Sequence, residues 1–133
     1  MKKSRRIVTI AVFLLSCLLS FAQDSSYDVF APIGKYLSKG NSEALSAWFA
    51  DNLQISVISQ ESTASKSQAR QIVKAFFETY TPRNFNITHT AGRANMKYAL
   101  GVLNAGGELF SVTIFVTCKS GTYKIQMLNI ARI

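Results

Sequence analysis

The chain has 133 residues, 48% of them apolar and 11% aromatic, with 15 Lys and Arg against 7 Asp and Glu, a formal net charge of +8. That apolar share excludes a disordered or collagen-like chain, and the length suits one domain. One His and two Cys are too few for a zinc centre or a disulfide scaffold.

The first element in chain order is an address. Lys2, Lys3, Arg5 and Arg6 precede an apolar run from Ile7 to Leu19, and Ser20-Phe21-Ala22 follows with small residues at both ends. A basic start, a short apolar core and a small-residue exit predict a secretory signal peptide over 1–22, cut after Ala22. A membrane span needs about 20 apolar residues, and this run is shorter. Leu14-Leu15-Ser16-Cys17 offers an alternative, a lipoprotein anchored at Cys17, but the apolar Leu18-Leu19 after it replaces the usual polar tether. The expected product is a periplasmic or secreted chain over 23–133, without a membrane segment.

Cleavage takes four basic residues and no acids, leaving 11 against 7. The remaining Lys and Arg are scattered singly, without a basic run or basic–aromatic alternation, so nucleic acid is not an expected partner. Cys118 is the one thiol left, so stability has to come from packing.

Asp28 is positioned to cap a helix that carries Val29, Phe30, Ile33 and Leu37 on one face, with Pro32 in its first turn and Gly40 as its stop. Asn41 caps a second short helix, expected to carry Leu45, Trp48 and Phe49 at i, i+3 and i+4. Leu53, Ile55 and Val57 alternate with polar residues and predict a strand over 52–58, followed by a turn and a short return strand up to Ser65. Ser65-Lys66-Ser67-Gln68 fits a capping box. The helix it opens places Ala69, Ile72, Val73, Phe76, Phe77 and Tyr80 in one stripe and ends before Pro82.

From Phe85 the period becomes two. Phe85, Ile87 and His89 are expected on one face of a strand. A strand over 96–103 ends in Asn104-Ala105-Gly106-Gly107, a hairpin signal. Next come a strand over 109–118 with Phe110, Val112, Ile114, Val116 and Cys118 on one face, a turn at Lys119-Ser120-Gly121, and a last strand over 123–130. Helices segregated from a mostly antiparallel sheet make this an α+β chain.

This order resembles the nuclear transport factor 2-like (cystatin-like) cone, a curved sheet wrapped around a long helix. Ser65-Lys66-Ser67-Gln68-Ala69, Phe76-Phe77, Phe85 to His89, Tyr98-Ala99-Leu100-Gly101-Val102-Leu103 and Ile125-Gln126 are similar to an uncharacterised family of small secreted Bacteroides-type proteins, domain of unknown function 4783. His89-Thr90-Ala91-Gly92 departs from the pattern, in which the Gly stands closer to the His. The resemblance implies a cone fold and a secreted location and carries no catalytic residue with it.

Three residues are candidates for a ligand site in the cone. His89 is the lone imidazole and suits acid–base chemistry near neutral pH, provided something orients it; Asp28 and Asp51 are explained by capping and turn roles. Tyr98 brings a hydroxyl that needs a partner if buried, and Trp48 an apolar wall, although aromatics at such spacing are ordinarily core. No metal cluster, phosphate-cradling Gly loop or carboxylate pair is present in the sequence, and no cofactor is expected. The expectation is an exported, non-enzymatic protein that binds a small apolar molecule, a peptide or a partner protein through a cone pocket or a sheet face. Homodimerisation through that face would use Leu109, Phe115 and Leu128. The alternative is a small hydrolase or isomerase that uses His89 in the cone. An inhibitor-like interaction module working through its hairpin tips is a third reading.

Overall fold

A computed structural model describes residues 28–133. The signal peptide over 1–22, its cut after Ala22 and the Cys17 alternative lie outside the described residues. The Asp28 carboxylate accepts the Phe30 N–H at 2.9 Å and opens α1, Phe30–Lys39. Gly40 ends it at φ 66°, where its own N–H and that of Asn41 reach back to Leu37 and Tyr36. The Asn41 side chain then accepts the Ala44 N–H at 3.0 Å and starts α2, Ser42–Ser46.

That helix is shorter than its sequence period suggests. The Trp48 carbonyl takes the Ile125 N–H, and Phe49 begins β1, Phe49–Val57, paired with Ile125. Trp48 and Phe49 therefore leave the helix, because strand pairing outcompetes one more helical turn. β2, Gln60–Ser65, returns antiparallel to β1. The capping box forms in both directions: Gln68 N–H donates to Ser65 Oγ at 3.2 Å, and Ser65 N–H to Gln68 Oε1 at 3.0 Å. It opens α3, Lys66–Thr79, which buries Ala69, Val73, Phe76 and Phe77.

Four long strands follow: β3 Pro82–Arg93, β4 Met96–Ala105, β5 Glu108–Lys119 and β6 Thr122–Arg132. They make one six-stranded sheet in the order β2-β1-β6-β5-β4-β3, antiparallel except where β1 meets β6. The chain is α+β, a curved and mostly antiparallel sheet with its helices on the inner face. A row of partners, Ile55, Leu128, Ile114 and Ala99, crosses four strands on that face, and none of the four is more than 2% exposed.

Helical Ile33, Leu37 and Leu45 join the same apolar cluster, each fully buried. Phe76 sets its ring edge-on to Phe110 with centroids 5.1 Å apart, which ties α3 to β5. Tyr80 meets Phe110 in the same way, and Arg132 closes over both rings while it bonds the Tyr80 hydroxyl and Glu108. No helix among the described residues is long and apolar enough to cross a membrane.

Candidate functional site

The open surface of this molecule lies on the outer face of the sheet, and two register breaks decide what stands there. The first is in β3. Ile87 pairs with Gly101, but His89 pairs with Leu100, so Thr88 is an extra residue in the ladder. A bulge of one residue turns everything after it to the opposite face. Phe85 remains on the inner side, its ring against Gly34 and Gly101. His89 comes out on the outer face and is exposed. The expectation that His89 shares a face with Phe85 and Ile87 is corrected, and with it a role for His89 inside the cone.

Tyr98 stands on the same outer face, half-buried, its ring centroid 6.0 Å from that of His89. No carboxylate or hydroxyl among the described residues hydrogen-bonds the imidazole. Asp28 is occupied in capping, and Asp51 sits on β1, four strand spacings from β3, or about 19 Å at the usual separation. Trp48 lies elsewhere again, before β1, beside Tyr123 and Lys124 and packed against the core. The structure brings together two of the three candidate residues and leaves the third apart.

The second break involves β6. Phe115 pairs with Met127 and Val116 with Ile125, so Gln126 is extra with respect to β5. This places Leu128 on the inner face, fully buried, which corrects its assignment to an outer contact surface. Leu109 is 53% exposed, and Phe115 is half-buried on the outer face. Across from Gln126 the parallel partner also departs: Phe49 pairs with Ile125 and Gln54 with Met127, so residues 50–53 of β1 stand against Gln126 alone. The sheet parts there.

Two adjoining grooves open on the outer face at this parting. One, of about 440 Å³, is lined by Asp51, Asn52, Thr117, Lys119, Lys124 and Gln126 among others. The next, of about 570 Å³, shares Asn52 and Gln126 and adds Leu53, Phe115 and Met127. Nothing in the local sequence marks this region, since a register break between distant strands leaves no periodic signal. Further along the face, the row Gln54, Met127, Phe115, Tyr98 and Ala91 runs from β1 to β3 beside Leu100, which is 37% exposed. No group of three or more His, Cys, Asp or Glu among the described residues is placed to hold a metal.

Residues 30–131 match the model of a family described as Domain of unknown function (DUF4783). The fold agrees with solved structures. A DUF4783 family protein from Bacteroides uniformis ATCC 8492 superposes with a TM-score of 0.76 at 23% identity, over 80% of this chain and 98% of that one. A domain of unknown function with a cystatin-like fold from Nostoc punctiforme PCC 73102 gives 0.62 at 11% identity, over 77% and 71%. A member of the NTF2-like family from Streptomyces avermitilis gives 0.57 at 8%, over 77% and 90%. At these identities the likeness shows the fold, cystatin-like and NTF2-like. No curated protein matches the chain.

Proposed function

For a chain that belongs to the DUF4783 family of domains of unknown function, with an NTF2-like fold, we propose an exported, non-enzymatic binding role carried by the outer face of the sheet. One observation carries the reading. The inner side is filled by side chains such as Ile33, Leu37, Leu45, Phe49 and Phe110, all fully buried, while the grooves described above open outward. Filled interiors pack like organic crystals and leave little room for a ligand. Half-buried Phe115, Tyr98 and Met127 beside exposed Leu100 make an apolar stripe on a face whose other residues are mostly polar or charged, the kind of surface that takes a ligand, a peptide, a partner protein or a second copy. Export is supported by the basic start and apolar run of residues 1–22.

The rival, catalysis by His89, lacks support from its surroundings, since a general base needs a group to orient it and, among the described residues, no side chain hydrogen-bonds the exposed imidazole beside the Tyr98 ring. Native mass spectrometry of the protein purified from the compartment that holds it tests the binding role. The expected result is a retained small molecule or a doubled mass; a bare monomer across concentrations contradicts it.

A further inference from the structure

We propose that the cleft where β1 parts from β6 binds a small organic acid, with its carboxylate held at Lys119 and Lys124 and its apolar body along Phe115 and Met127. This rests on the outer-face reading and names its ligand class. Three independent features converge on the cleft.

The first is the opening itself. Four residues of β1, 50–53, face one residue of β6, Gln126, where the other register breaks of the sheet each insert a single residue. Bulges of this kind occur next to binding sites, where they re-aim side chains. Gln126, the residue displaced by the break, donates its Nε2 to Thr117 Oγ1 at 3.0 Å, so its side chain is fixed on the outer wall.

The second is uncompensated charge. Lys119 stands opposite Thr122, and Lys124 opposite Thr117, which makes the two lysines diagonal neighbours on one face, with Cβ atoms roughly 7–8 Å apart. The ion pair of the described residues is Arg132–Glu108, far along β5 and β6, and neither cleft lysine has a carboxylate within salt-bridge distance. Lys124 Nζ donates to the Ala47 carbonyl at 2.9 Å, which holds the ammonium at the rim and leaves two of its three protons to donate. Against the two ammonium groups the cleft sets Asp51. The balance is one positive charge, which matches a carboxylate and disfavours a phosphate dianion beside Asp51. Thr117 and Thr122 add hydroxyl donors on the same wall.

The third is the adjoining apolar floor. The charged groove and its neighbour share Asn52 and Gln126, and the neighbour is lined on its apolar side by half-buried Phe115 and Met127. The grooves, of about 440 and 570 Å³, are open to solvent and form a shallow seat long enough for a small molecule. A ligand charged at one end and apolar at the other fits the pair, whereas a sugar or a free inorganic anion would leave half of it unused.

The test is an NMR titration of the isotope-labelled protein with 3-phenylpropionate, its neutral amide and inorganic phosphate. The acid is expected to shift the amide signals of Asn52, Thr117 and Gln126 in a saturable way, with the amide and phosphate at least tenfold weaker. Lys119 is exposed and makes no hydrogen bond, so Lys119→Gln is expected to weaken the acid at least fivefold while the spectrum outside the cleft stays unchanged. Absence of binding, equal binding of acid and amide, equal binding of phosphate, shifts centred elsewhere or an unaffected Lys119→Gln variant would each overturn the proposal. A protein that dimerises or retains a neutral ligand yet ignores the acid loses this site and keeps the outer-face role.

Discussion

Gly101 shows how a single residue position fixes the seating of a helix on this sheet. A Cβ at Gly101 would come 2.6 Å from Phe85 Cε1 and 2.7 Å from the Asn86 carbonyl oxygen, while a Cβ at Gly34 of α1 would be 3.3 Å from the other side of the same ring. Phe85 is thus packed between β4 and α1, and a side chain at Gly101 would collide with its ring. Gly101→Ala is expected to lower stability by about 2 kcal/mol, the cost of forcing an extra carbon into a packed site, read from the urea midpoint at unchanged slope. In the sequence Gly101 appears as an interruption in an apolar strand; its reason is a ring from another strand, which no local pattern contains.

Among the elements, the helix caps and the alternating strands were legible in the sequence, whereas the register breaks set by distant strands were not. Ser65 and Gln68 are three residues apart and satisfy each other's N–H groups, so the start of α3 follows from local sequence alone. Ser65→Ala is expected to cost about 1 kcal/mol in thermal or urea unfolding, with the fold retained. Gly40 and Asn41 likewise mark their helix ends. The two misplaced side chains, His89 and Leu128, share one cause. Each follows a bulge, at Thr88 and Gln126 respectively, and period-two counting assigns every residue after a bulge to the wrong face. Trp48 and Phe49 fail differently: their helical spacing is real, but Ile125, some 75 positions later, recruits that stretch into the sheet. The candidate site depends on these same long-range breaks, which is why its lysines and amides read only as a turn and a polar strand end.

On the scale of the whole molecule, the fold separates structure from exposure. Among the described residues, helices and apolar rows cover much of the inner side, and the outer side keeps its grooves, its half-buried aromatics and its lone imidazole. The 22 residues that carry the basic start lie before this body. If they serve as an export signal, intact-mass measurement of the protein recovered from outside the cytoplasm is expected to show a chain that begins at Gln23. A chain that keeps Met1, or one lipidated at Cys17, would contradict soluble export.

The central claim, that binding belongs to the outer face, is tested most directly by comparing wild type with Phe115→Glu in native mass spectrometry. Phe115 is half-buried and points away from the core, so the variant is expected to fold with a stability loss of about 1 kcal/mol or less. The added mass, whether ligand or second copy, is expected to disappear in Phe115→Glu while its melting temperature stays near that of wild type. An added mass that persists in the folded variant would place binding elsewhere and contradict the account.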